Sequence, residues 1–99
     1  MGRGKQPLLL FFSSSRSGPC RRMESVLAQV GRKQRQRLRI VRVDVGERED
    51  VASHFQVTSV PTLVLVRDNR VVARLEGRSS ATRIEALLDA HLADAAVPA

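Results

Sequence analysis

After a basic opening, Leu8-Leu9-Leu10-Phe11-Phe12 is an unbroken apolar run, the pattern of a strand buried on both faces. Ser13-Ser14-Ser15 breaks it. Ser17 is placed to cap a helix, with Pro19 in the first turn, where a missing N–H leaves no bond unmade. Met23, Val26, Leu27 and Val30 follow at helical spacing and predict one buried face, with Gly31 as a stop. Leu38, Ile40, Val41 and Val43 mark a second strand ending at Asp44, and Val51, Ala52 and Phe55 predict a short helix. Two further apolar runs, Leu63 to Val66 and Val71 to Leu75, flank Asp68-Asn69, residues that tolerate tight hairpin turns. Gly77 ends that hairpin. Ser80 then caps a last helix whose Ile84, Leu87, Leu88 and Leu92 form one stripe. The order βαβαββα predicts an α/β domain: a mixed sheet of about four strands with helices on both faces. No repeat or linker interrupts it. The domain is expected over residues 7–93, with flexible tails at 1–6 and 94–99.

Two short motifs stand out, Ser15-Arg16-Ser17-Gly18-Pro19-Cys20 and Ser59-Val60-Pro61-Thr62. Together with Leu8 to Phe12, Arg42-Val43-Asp44-Val45, Ala52 to Val57, Gly77 and Leu88-Asp89-Ala90-His91-Leu92, their order and spacing resemble the thioredoxin family. The resemblance covers roughly residues 7–93. It implies the thioredoxin-like fold and a role in thiol-disulfide redox homeostasis. Relative to the family, an opening strand and helix are missing, so the strand ending at Asp44 is expected at the sheet edge. Either Arg37, Arg39 and Arg42 blunt that edge, or it pairs with another chain. A start further upstream is the other reading of the same gap.

The departures bear on chemistry. Dithiol exchange needs one thiol to attack a disulfide and a second to resolve the mixed disulfide. By the resemblance, the attacking cysteine is replaced by Ser17 and only the resolving one, Cys20, remains. The family's tryptophans become Ser13 and Arg16, its buried acid falls at Phe11, and the lysine neighbour of that acid falls at Ile40. A serine hydroxyl without an adjacent base is a poor nucleophile. Ordinary two-cysteine reduction is therefore not expected, and whether the chain is an enzyme stays open.

For Cys20 two readings stand. A helix start and the cations Arg16, Arg21 and Arg22 favour a reactive thiol that forms mixed disulfides with a protein or with glutathione. Burial would instead make it a small core residue. The resemblance implies a cis peptide at Pro61 and a groove of Ser17, Gly18, Pro19, Val60, Pro61 and Gly77 that holds an extended protein segment by main-chain bonds. A groove of that kind needs no thiol. The alternative function is accordingly a non-catalytic protein-binding or chaperone-like module.

Composition narrows the rest. Ninety-nine residues suit one domain, and with no Trp or Tyr the core must be aliphatic, helped by Phe11, Phe12 and Phe55. A single cysteine excludes an internal disulfide and any multi-cysteine metal site. Of 17 basic side chains, most precede Val45, and Arg32 to Arg39 is the densest cluster. It reads as a solvated connection, or as a surface for an acidic partner. Nucleic acid is not expected, since no aromatic platform or binding motif accompanies the charge. His54, His91 and the carboxylates show no ligand or catalytic spacing, so no metal or other cofactor is expected. The apolar run after Met1 to Lys5 is too short for a signal peptide, and no stretch is long enough to span a membrane. The expected location is cytoplasmic.

Overall fold

A computed structural model describes residues 6–92. Its elements are β1 (Leu8–Ser13), α1 (Gly18–Gln34), β2 (Arg39–Asp44), α2 (Glu49–His54), β3 (Thr62–Arg67), β4 (Arg70–Glu76) and α3 (Ala81–Leu92). The strands form one sheet in the order β2-β1-β3-β4. β1 runs parallel to β2 and antiparallel to β3, and β3 runs antiparallel to β4. The expected order βαβαββα and the mixed α/β sheet are both present. The flexible tails expected at the two ends fall, Gln6 apart, outside the described residues; Gln6 itself donates from Nε2 to the Arg35 carbonyl at 3.3 Å.

The apolar run of β1 explains the layering. Alternate residues of a strand point to opposite faces, so Leu9 and Phe11 join one cluster while Leu10 and Phe12 join the other. The first cluster packs α1 through Met23, Leu27 and Val30 and α3 through Ile84, Leu88 and Leu92. The second packs α2 through Ala52, with Val51 and Phe55 beside it. Phe11 and Phe12 are 1% and 0% exposed. Phe12 meets Phe55 with ring centroids 5.9 Å apart and planes tilted by 56°.

Local chemistry places the ends of the elements. Asp68 and Asn69 have φ of 54° and 64°, the pair of positive angles that a two-residue hairpin turn matching strand twist requires. Ser80 Oγ accepts from the Arg83 N–H at 3.1 Å and caps α3. Gly31 is not the stop that the sequence predicts, because α1 runs on to Gln34. Val30 is fully buried and Lys33 pairs with Glu85 of α3 at 3.2 Å, so packing holds the extra turn against the cost of a helical glycine. Basic Arg32 and Lys33 in that last turn also suit the negative end of the helix. The cluster from Arg32 to Arg39 is consequently part helix and part connection, and Leu38 within it is only 3% exposed. Arg37 is partly buried: its guanidinium pairs with Asp89 at 3.1 Å and donates to Gln34 Oε1 at 2.9 Å.

Candidate functional site

Strand register brings the two motifs together. Ser13 pairs with Asp44, Phe12 with Thr62, and Thr62 with Glu76. The loop leaving β1, the residues entering β3, the residue after β4 and the turn leaving β2 therefore all emerge at one end of the sheet. Ser17, Gly18, Pro19, Cys20, Val60, Pro61 and Gly77 all lie there. The histidines do not join them: His54 ends α2, with its ring edge-on to Phe55 at 4.9 Å, and His91 is exposed near the end of α3.

The first motif is a turn feeding a helix. The Ser17 N–H donates to the Ser14 carbonyl at 3.0 Å, and the Arg16 N–H donates to Ser14 Oγ at 3.2 Å. Ser17 is extended, with φ −94° and ψ 119°, and its hydroxyl accepts from the Cys20 N–H at 3.2 Å. That is the geometry of an N-cap, and Pro19 costs the helix nothing in its first turn. Cys20 is the third residue of α1, within its first turn, and is 2% exposed. It nonetheless lines a cavity of about 510 Å³ together with Ser13, Ser15, Arg21, Arg42 and Arg48. Val60, Pro61 and Gly77 are not part of that cavity.

The second motif is held from several sides. The Val60–Pro61 peptide is cis. Gly77, at φ +86°, donates its N–H to the Pro61 carbonyl at 2.8 Å. Buried Thr62 donates its hydroxyl to the Ser59 carbonyl at 2.8 Å, which satisfies a polar group that would otherwise be costly to bury. Val60 packs against both apolar clusters, one of which contains Cys20. Among the described residues, the Val60 N–H and carbonyl engage no other backbone group outside the helices and strands.

Sequence reasoning missed three supports of this end. Arg74 donates to the Phe55 carbonyl at 2.8 Å and the Gln56 carbonyl at 3.3 Å while pairing with Glu76 at 3.3 Å. It pins the segment leading to Ser59, and an arginine inside an alternating strand gives no sign of that. Asp44 Oδ1 accepts from the N–H groups of Gly46 at 2.8 Å and Glu47 at 3.2 Å. The Asp-x-Gly spacing is a turn signal that could have been read. Arg48 forks onto both carboxylate oxygens of Asp50, each at 3.2 Å, and that hydrogen bonding holds Asp50 below the usual carboxylate range. Among the described residues no group of three or more His, Cys, Asp or Glu is arranged to hold a metal ion. No helix there is long and apolar enough to cross a membrane.

A family model described as Thioredoxin matches residues 2–90. The chain belongs to the thioredoxin family. It is 35% identical over 79 residues to a thioredoxin-like protein of Synechocystis sp., covering 80% of this chain and 75% of that one. To the thioredoxin of Pseudomonas aeruginosa it is 30% identical over 86 residues, or 87% of this chain and 80% of the relative. Among solved structures, the germline-specific thioredoxin Deadhead of Drosophila superposes with a TM-score of 0.82 at 27% identity, over 87% of this chain and 81% of that one. Mitochondrial thioredoxin 3 of Saccharomyces cerevisiae, in its oxidized form, gives 0.80 at 28% identity, over 87% and 79%. The thioredoxin-like fold read from the motifs is therefore the observed one.

Proposed function

We propose that this thioredoxin-family protein works in thiol–disulfide redox homeostasis as a single-thiol member. An extended segment of a protein partner lies across Ser17, Gly18, Pro19, Val60, Pro61 and Gly77, bonded to the free N–H and carbonyl of Val60. Cys20 is the redox group. Its thiolate attacks one sulfur of a partner disulfide, a Cys20–partner disulfide forms, and the other partner sulfur leaves as a thiolate. With Ser17 in the attacking position the adduct has no internal resolver, so an external thiol such as glutathione must complete the exchange. The observation that carries this reading is the position of Cys20: although it belongs to a buried apolar cluster, it also borders the 510 Å³ cavity at the motif end of the sheet. A cytoplasmic setting, where thiols stay reduced, suits a chain with one cysteine.

A second reading rests on the 2% exposure of Cys20. In it the groove alone functions, as a protein-binding or chaperone-like module, and the cysteine is a core residue. One experiment separates the two. The folded protein is incubated with glutathione disulfide and its intact mass is measured, with Cys20→Ser as control. A one-to-one glutathione adduct absent from the control supports the single-thiol reading. No adduct in the folded protein, with ready formation after unfolding, supports the binding module.

A further inference from the structure

A helix presents residues three and four apart on one face. In α1 that spacing carries the groove onward from its first residues: Arg22 stands four after Gly18, and Met23 and Val26 stand four and seven after Pro19. Across from them, Arg78, Ser79 and Ser80 follow directly on Gly77 and lead into α3. These six residues line one open pocket of about 330 Å³. Met23 is buried and Val26 half-buried, so they form an apolar floor, while Arg22 and Arg78 are exposed. Arg21, one position earlier, turns instead to the cavity that Cys20 borders.

Charge at this pocket is unbalanced. Neither Arg22 nor Arg78 makes an ion pair among the described residues, and the same is true of exposed Arg16 beside Ser17. The carboxylates closest to them in sequence are engaged elsewhere: Glu24 with Arg42, Glu76 with Arg74 at 3.3 Å and Glu85 with Lys33 at 3.2 Å. The first turns of α1 and α3 hold no acidic residue either. Ser80 Oγ accepts from the Arg83 N–H at 3.1 Å, which leaves the Ser79 hydroxyl to donate. Two unpaired guanidiniums over an apolar floor match one side-chain type closely: a glutamate, with an aliphatic stem and a carboxylate at its tip.

We propose that this pocket is a subsite for an acidic side chain of the segment bound in the groove, which thereby selects partners carrying a glutamate next to the part paired with Val60. The subsite rests on the Val60 groove of the proposed function and acts whether or not Cys20 reacts. The methylenes of the glutamate lie on Met23 and Val26. Its carboxylate accepts from the guanidiniums of Arg22 and Arg78 and from the Ser79 hydroxyl. Main-chain bonds in the groove hold any extended segment, and the two arginines choose among them. A lysine at that position is repelled, so the same pair excludes as well as selects.

The probe is a capped peptide of alternating valine and serine with two glutamates at each end, so that either direction of binding presents an acid. It has no cysteine, and thiol exchange plays no part. The peptide is titrated into isotopically labelled protein and followed by amide NMR at about 0.15 M salt, where exposed charges more than about 8 Å apart are largely screened. Saturable shifts should appear at Val60 and Gly77 in the groove and at Arg78 and Ser79 in the subsite. The same peptide with glutamines for glutamates should still move Val60 and Gly77 but bind at least about tenfold more weakly. Arg22→Gln with Arg78→Gln alters only exposed side chains. It should reduce the glutamate peptide to the affinity of the glutamine peptide and leave the latter unchanged. Arg35→Gln with Arg39→Gln removes the same charge beyond the far end of α1, from a chain of net charge +7, and should change affinity by less than about twofold. Equal binding of the two peptides at Val60, or an equal loss in the two double variants, would overturn the subsite and leave the groove standing. No shift at Val60 with either peptide would overturn the groove itself, and the subsite with it.

Discussion

Ser17→Cys adds a second thiol at the position that the family resemblance gives to the attacking cysteine. Two structural consequences can be separated. First, the hydroxyl that accepts from the Cys20 N–H at 3.2 Å is lost. Removing an N-cap costs about 1 kcal/mol, which in a domain of this size lowers Tm by about 4–8 °C. Reduced Ser17→Cys should show that drop, and Ser17→Ala should show it too. Second, residues three apart at a helix start lie about 5–6 Å apart at Cβ, close enough for a disulfide to form after a small adjustment. Closing so short a loop stabilises by at most ~2 kcal/mol on the chain-entropy relation. Oxidised Ser17→Cys should then melt at or slightly above the wild type. Catalysis should follow but remain slow. The positions where the family resemblance expects a buried acid and its lysine neighbour hold Phe11, 1% exposed, and Ile40. Lacking a proton carrier, the site should fall short of a complete dithiol site by about a hundredfold. The assay is dithiothreitol-coupled reduction of insulin, followed by turbidity. Wild-type turnover equal to that of Ser17→Cys would refute the reasoning, and so would an oxidised variant that never exchanges.

Four further expectations test the rest of the account. Phe12→Ala empties a site that is 0% exposed and packed at a tilt against Phe55, and urea unfolding should show a loss of about 3–5 kcal/mol. Gly31→Ala should stabilise by up to about 1 kcal/mol in thermal melts, because its Cβ would meet only the Ile40 Cδ1 at 3.3 Å, the movable end of a half-exposed side chain. Gly77→Ala finds open space but must keep φ near +86°, so denaturant unfolding should show a loss of about 1–2 kcal/mol from backbone strain. Asp50 titrates below its ordinary range when folded, so the stability it contributes is present above its unfolded pKa and disappears as pH falls. Asp50→Asn should accordingly be less stable than wild type at neutral pH, with the gap closing in acid and in high salt, as read from melts between about pH 7 and pH 3.

Most of the fold was legible because its signals are local. The apolar run Leu8 to Phe12 can only be a strand covered on both faces, and Ser17, Asp68-Asn69 and Ser80 each mark an end by their own hydrogen-bonding or backbone preference. Gly31 misled for a corresponding reason: propensity argues for a stop, but the pairing of Lys33 with Glu85, 52 residues away, continues the helix. The same holds at the candidate site. Ser17, Cys20 and Pro61 could be picked out from motifs. The Arg74 contacts to Phe55 and Gln56, and the cavity joining Cys20 to the edge strand, depend on how distant segments meet. No spacing along the chain encodes them.

The most direct test of the single-thiol account is the rate at which iodoacetamide alkylates Cys20 in the folded protein, compared with the same chain in concentrated urea. A thiol reached through the 510 Å³ cavity should react in the native state, slowed by no more than about a hundredfold relative to the unfolded chain. A thiol reached only by global unfolding would be slowed on the order of ten-thousandfold or more, in step with the stability of the domain. That second result would contradict the account and leave the groove at Val60 and Pro61 as the functional surface.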